Sequence, residues 1–221
     1  TGLQQDVMKE SMHVALTVAW NLTSEENKKQ LIDRCIKESN RLNDLCNNML
    51  LASQIEGRQY KAAVEEFNLS EVVEDAIHDY ASRYDRVFEE EVMPGCKVWG
   101  DKVMLQIAVN NLLENAVKYT PVDAPINIAL ERDTNNVILH VADRGPGIPD
   151  DEKKKIFNKF YRIGSEESRK SKGTGLGLAM VQGYAAQLGG SVAIDSAPGQ
   201  GTTFILRLPL ALEDLKGPAV G

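Results

Sequence analysis

Apolar positions recur along this chain with two different periods, and the switches between those periods mark out its elements. Residues 3–22 put Met8, Met12, Ala15, Ala19 and Leu22 on one stripe with Val7, Val14 and Val18 beside it, which predicts a helix with a broad apolar face. Thr23-Ser24-Glu25-Glu26 then supplies a cap and a capping-box carboxylate for a second helix. Along that helix Leu31, Cys35, Leu42, Leu45, Met49 and Ala52 alternate at spacings of three and four, interrupted by Glu38, as a heptad-like seam does. Two such helices make an antiparallel hairpin that cannot bury both stripes alone. Either a second copy completes a four-helix bundle, or the hairpin packs on its own domain.

Residues 54–67 carry charge and Gly57 without periodicity, a linker ending in a short strand, and the domain boundary is expected near residue 60. Asn68-Leu69-Ser70-Glu71 caps a helix running to about Tyr84 with Val72, Val73, Ala76 and Tyr80 inward. Strands are expected at 87–92 and 97–99, after which Asp101 opens another helix. Residues 126–131 and 137–142 alternate as paired strands, and 191–196 and 202–208 form a hairpin around Pro198-Gly199-Gln200-Gly201. A last helix runs from about Leu178 to Leu188 and stops at Gly189-Gly190. The expected fold class is therefore α+β: a helical hairpin over 1–59, then an α/β two-layer sandwich over 60–212 with a mixed sheet and helices on one face, then a frayed tail over 213–221.

Composition narrows the function classes. The chain is 43% hydrophobic and 26% charged, as an ordinary globular protein is, and its net charge of -7 disfavours nucleic acid and anionic membrane as partners. Cys35, Cys46 and Cys96 are odd in number and widely spaced, with no zinc pattern, and read as reduced thiols in a cytoplasmic setting. Nothing approaches roughly eighteen consecutive apolar residues and no signal peptide opens the chain, so direct membrane contact is not expected; any membrane anchor of a longer parent lies outside this sequence.

Candidate chemistry gathers in the helix around residues 110–121. Leu105, Val109, Leu112, Leu113 and Ala116 form its apolar stripe, while Asn111, Asn115 and Lys118 share another face. An amide oxygen can join the shell of Mg²⁺, and a lysine one turn further on can meet the phosphates that cation bridges; a plain solvated face has the same spacing. Asp143 ends a strand just before Gly145-Pro146-Gly147, where a carboxylate can accept from an exocyclic amine and so choose adenine over guanine. An Asp closing an ordinary turn is the alternative. Gly173-Thr174-Gly175-Leu176-Gly177-Leu178 runs into a helix whose first amides and dipole favour an anion, though a purely structural turn reads the same way. It fits neither the Rossmann nor the Walker pattern. Between them, residues 164–172 hold serines and charges with no apolar anchor, as a lid over bound nucleotide does.

Taken in order, these segments resemble the boxes of sensor histidine kinases. Asn111-x-x-x-Asn115-x-x-Lys118-Tyr119 is similar to the N box, Asp143-x-Gly145-x-Gly147 to the G1 box, Phe157-x-x-Phe160 to the F box and Gly173-x-Gly175-x-Gly177 to the G2 box, within a resemblance covering roughly residues 25–210. The resemblance implies a Bergerat-type ATP-binding domain behind a dimerising, phosphotransfer hairpin. ATP and Mg²⁺ are the implied cofactors, with a second copy of the chain and a response regulator receiver domain as partners. Asn111 and Asn115 would hold the cation, Lys118 and Arg162 the phosphates, Tyr119 the nucleotide flank and Asp143 the adenine amine. Gly145, Gly147, Phe160, Gly173, Thr174, Gly175, Leu176, Gly177, Leu178 and Thr203 would complete the cleft, with Phe157 and Phe160 packing the root of the lid.

Related gyrase-type and chaperone ATPases resemble this fold but carry a Glu where this chain has Asn111, and that Glu activates water. Asn has no basic site, so transfer to a protein nucleophile is favoured over rapid hydrolysis, with Asn111, Lys118 and Arg162 as the catalytic set. The family's acceptor motif, His-Glu/Asp-x-Arg/Lys-Thr-Pro, is not matched by His13, His78 or His140. The sequence therefore reads as a chain that binds ATP and whose acceptor lies upstream of Thr1, or as a degenerate member. The rival readings are an ATP-binding scaffold without kinase activity and a serine kinase or ATPase of the same fold.

Overall fold

The structure, a computed structural model, describes residues 24–32, 34, 35, 39, 63–84, 86–164 and 174–210. Outside them fall the helix expected at 3–22, most of the second helix and its seam, the linker before residue 63, Gly173 with most of the expected lid, and the tail. The chain divides into two compact units, Thr1–Leu50 and Leu51–Gly221. The boundary expected near residue 60 lies outside the described residues.

In the first unit residues 25–32, 34, 35 and 39 are helical. Ser24 is the cap, its hydroxyl oxygen accepting from the Asn27 amide at 3.3 Å. Leu31, at 46% exposure, and Cys35 of the expected seam are bare in the single chain, as is the neighbouring Ile32.

The second unit is a two-layer α/β domain. In chain order it runs β1 (Val64–Asn68), α1 (Leu69–Arg83), β2 (Phe88–Val92), β3 (Lys97–Asp101), α2 (Lys102–Tyr119), β4 (Ile126–Arg132), β5 (Asn136–Asp143), a 3-10 turn at Lys155–Phe157, α3 (Gly177–Gln187), β6 (Ser191–Ser196) and β7 (Thr202–Pro209). The main sheet has the order β2-β4-β5-β7-β6, with β2 parallel to β4 and every other pair antiparallel. It is mixed, as the alternating segments imply. Its inward residues, among them Ile126, Ile128, Leu130, Val137, Leu139, Val141, Phe204, Leu206 and Leu208, are at most 4% exposed and pack under the three helices.

One expected grouping differs. β3 does not join the main sheet but pairs with β1, Phe67 opposite Val98, as a separate two-stranded ribbon. Cys96, between β2 and β3, is fully buried, with its amide donating to the Ser70 hydroxyl at 3.1 Å and its carbonyl accepting from Leu69 at 2.8 Å. The chain is thereby pinned to the start of α1 and diverted from the sheet β2 occupies.

Helix boundaries follow local chemistry. The Asn68 side chain caps α1 by accepting from Ser70. Asp101 caps α2 from the Met104 amide at 3.1 Å while its second oxygen accepts from Ala63 at 2.8 Å. Pro121 pushes Thr120 to an extended backbone (φ -72, ψ 134) and ends α2 there. Gly189, at φ 71, closes α3, and the amide of Gly190 bonds back to Ala185 at 2.8 Å.

Candidate functional site

The apolar stripe of α2 buries completely: Leu105, Ala108, Val109, Leu112 and Leu113 are all at 0% exposure. That anchoring turns the edge bearing Asn111, Glu114, Asn115 and Lys118 toward a cleft of about 510 Å³, within the range of small-molecule sites. Asn111 is buried, and its amide nitrogen donates to the Ile107 carbonyl at 2.9 Å, which commits the side-chain oxygen to the other direction. There it faces Gly177, the first residue of α3; a Cβ on that glycine would lie 2.5 Å from the oxygen. The Lys118 ammonium sits 5.0 Å above the centroid of the Tyr119 ring.

The second wall is the end of β5. Asp143 is 8% exposed, and its Oδ1 accepts from the Gly145 amide at 2.7 Å. Burial holds its carboxyl above the ordinary Asp range, opposed by hydrogen bonds from the backbone amides of Gly145 and Thr202. Gly145 lets the two walls meet, because a Cβ there would lie 2.7 Å from Asp143 Oδ1 and 2.9 Å from the Tyr119 carbonyl. Gly147, at φ 70, approaches the β6–β7 turn so closely that a Cβ would come 1.9 Å from the Ala197 carbonyl. Ser196 ties the same corner: its hydroxyl accepts from Ile148 at 2.9 Å and donates to the Gly201 carbonyl at 2.8 Å.

The third wall is the entry to α3. Leu176 stands at the cap position and, being apolar, offers no side-chain hydrogen bond to the first-turn amides. Gly175, at φ 73, accepts from the Phe160 amide at 2.9 Å. Across from it, Tyr161 donates its hydroxyl to Glu152.

Of the residues singled out in the sequence, Asn111, Asn115, Lys118, Tyr119, Asp143, Gly147, Arg162, Thr174, Gly175, Gly177 and Leu178 line this one cleft. Gly145 and Leu176, the latter 3% exposed, lie just behind its surface. Two others are not brought to it. Thr203 is the wrong member of its strand, since Thr202 pairs with Asp143 across β5–β7 and lines the cleft while Thr203 points to the opposite face. Phe160 is 65% exposed at φ 63; Phe157 packs against the core and Tyr161 lines the cleft. Residues the sequence did not single out for the cleft include Glu114, Ile148, Ile156, Ile163, Thr202 and Phe204. Alternation on β7 puts Thr202 and Phe204 on one face, and the register against Asp143 shows that this face meets the cleft. A hollow of about 450 Å³ elsewhere on the sheet is lined by Glu89, Glu90 and Glu91 and would repel an anion.

A wall of amides, a glycine-rich turn feeding a helix and a buried carboxylate at a strand end define a Bergerat-type nucleotide fold, and sequence comparison agrees. The chain belongs to the family described as histidine kinase-, DNA gyrase B- and HSP90-like ATPases, whose model matches residues 100–212. Its relatives place it with the sensor histidine kinases. It is 31% identical over 184 residues to the sensor-like histidine kinase SenX3 of Mycolicibacterium smegmatis, covering 82% of this chain and 48% of that protein. To the sensor histidine kinase RppB of Synechocystis it is 32% identical over 183 residues, 79% and 39% of the two. Among solved structures, the mycobacterial sensor histidine kinase MprB superposes with a TM-score of 0.59 at 32% identity, over 67% of this chain and 98% of that one. The chain spans about half the length of the SenX3 proteins it matches.

Proposed function

We propose that this chain is the ATP-dependent kinase core of a two-component sensor, moving the γ-phosphoryl group of ATP to a histidine and from there to an aspartate of a response regulator. The observation that carries the reading is the opposition of Asn111, Asn115 and Lys118 on α2 to the buried Asp143 across one cleft. Asp143 would accept from the adenine amino group, Tyr119 would flank the base, and the uncapped first turn of α3 would receive phosphate oxygens. Lys118 and Arg162 would neutralise the charge developing on the transferred group.

The residues present fit Mg²⁺. The Asn111 oxygen is turned away from its own helix by the Ile107 bond, and amide oxygens together with substrate phosphates are what this cation accepts in place of an all-protein cage. When bound, Mg²⁺ would neutralise the phosphate oxygens. Asn111 offers no base to activate water, which favours protein phosphorylation over hydrolysis.

The alignments with SenX3 and RppB are longer than the matched ATPase segment and so extend upstream of residue 100, which supports a further segment before the catalytic domain in common with those proteins. Leu31 and Ile32, bare in the single chain, supply apolar surface for a homodimer. We place the hairpin at 1–59, the ATP domain at 60–212 and a tail at 213–221.

Labelled ATP with Mg²⁺, added to this chain and to a longer version carrying upstream residues, tests the function. Acid-labile label on the longer version is expected. Acid-stable label or steady phosphate release would instead mark a serine kinase or an ATPase. Tight binding with no label on either chain would mark a regulatory scaffold, a reading favoured by the lack of a matching acceptor motif around His13, His78 and His140.

A further inference from the structure

The end of α2 that carries Lys118 and Tyr119 is held by a residue that belongs to none of the boxes. Arg86, in the connection between α1 and β2, is half-buried. Its guanidinium donates to three main-chain oxygens, Val117 at 2.8 Å, Pro121 at 2.7 Å and Thr120. These carbonyls belong to the last turn of the helix and the residues that leave it, where acceptors go unpaired and the dipole end attracts a cation. A planar fork on three oxygens fixes the tilt of that turn as well as its distance. A single ammonium would fix only the distance.

The turn so held also touches the opposite wall. The Tyr119 carbonyl lies against Gly145, and the Gly145 amide donates to Asp143. Higher on the same helix the Tyr80 hydroxyl donates to the Asn110 carbonyl at 3.2 Å. α1 and its exit therefore grip α2 at two levels, one beside Asn111 and one beside Lys118. Asp143 is braced from its own sheet as well, by the β5–β7 ladder and by the amide of Thr202, and so does not depend on this turn alone.

We infer that Arg86 is a positioning residue of the nucleotide site, setting the place of Lys118 relative to Asp143 so that one ATP molecule meets both. The inference rests on reading the cleft as an ATP site. Arg86 itself makes no contact with nucleotide in this scheme. A residue needed only for folding would, when removed, weaken every ligand alike. One that aligns the two ends acts on ligands long enough to span them.

The test compares ATP with adenosine, each with Mg²⁺, on the wild-type chain, Arg86→Ala, Arg86→Lys and the surface control Arg132→Ala. Calorimetry follows ATP and NMR titration follows adenosine. Arg86→Ala is expected to weaken ATP roughly tenfold to a hundredfold, the order lost with one hydrogen bond to a charged group, and to weaken adenosine, which meets the same turn through Tyr119 alone, by clearly less. Arg86→Lys should fall between, and Arg132→Ala should match the wild type. Equal losses for the two ligands, or none for either, overturn the inference. Should Arg86→Ala fail to fold, Arg86→Lys decides: it keeps the charge and loses the fork, and wild-type ATP affinity there overturns the proposal. A wild-type chain that binds neither ligand overturns the ATP reading and this one with it.

Discussion

The side-chain oxygen of Asn111 rests against the bare α-carbon of Gly177, so close that a methyl group on the glycine would sit 2.5 Å away. Two helices distant in sequence are thus allowed to close by the absence of a single carbon. The oxygen they enclose is the one proposed to meet the cation.

Gly177→Ala separates the site from the scaffold. At the first helical position alanine gains less than the roughly 1 kcal/mol of a helix interior, while overpacking costs about 1–3 kcal/mol, so a moderate loss of stability is expected and binding is to be measured on the folded protein. Asn111 must swing aside and lose its bond to Ile107. Calorimetry should show weaker binding of Mg-ATP with adenosine spared; intact Mg-ATP affinity would remove Asn111 from the cation site.

Asp143→Asn should abolish ATP binding without lowering the melting temperature. Burial already disfavours the charged carboxylate, so the neutral amide relieves a cost while its oxygen still accepts from Gly145. Unchanged ATP affinity would end the adenine assignment, and a large fall in melting temperature would recast Asp143 as a structural residue.

Acid should weaken nucleotide binding earlier than an ordinary aspartate would allow. The folded-state pKa of Asp143 lies above its unfolded value, so the native state keeps this proton to a higher pH. Its contribution to stability is present below the unfolded pKa and lost as pH rises through the folded one. Binding runs the opposite way, because the ionised carboxylate is the stronger acceptor from an amine. In Asp143→Asn the stability step in this window should disappear; its persistence would mean that another group titrates there.

Two glycines with nearly the same backbone should respond differently to alanine. Gly147 (φ 70) and Gly199 (φ 76) both sit in the left-handed region, a strain of about 1 kcal/mol for alanine. Around Gly199 an added Cβ meets nothing within 4 Å, whereas at Gly147 it would be driven to 1.9 Å from the Ala197 carbonyl. Denaturant melts should place Gly147→Ala well below Gly199→Ala. Equal losses would show that conformation alone sets the cost.

Much of the domain was legible in the chain because its periods are clean. The stripe through Leu105, Val109, Leu112, Leu113 and Ala116 buries as spaced, and the hairpin around Pro198–Gly201 forms where the turn residues stand. The ribbon of β1 and β3 was hidden because alternation reveals a strand and not its partner. Thr203 was taken for Thr202 because facing depends on the register against Asp143, a fact of pairing that no single strand carries. Arg86 has no signature at all: its three acceptors are main-chain oxygens, and main-chain oxygens look alike in every sequence. The apolar lining from Ile148, Ile156 and Ile163 belongs to irregular backbone, where no period exists to be read.

The ladder between β5 and β7 joins Asp143 to Thr202, nearly sixty residues further along. A chain leaving the ribosome N-terminus first therefore has α2 and its amides long before it has the strand that braces the carboxylate. Copies that stop short of β7 would lack the brace under the proposed adenine contact however well their earlier helices had formed. On the proposed assignment of Asp143, competence to engage the nucleotide thus waits until β7 has been made.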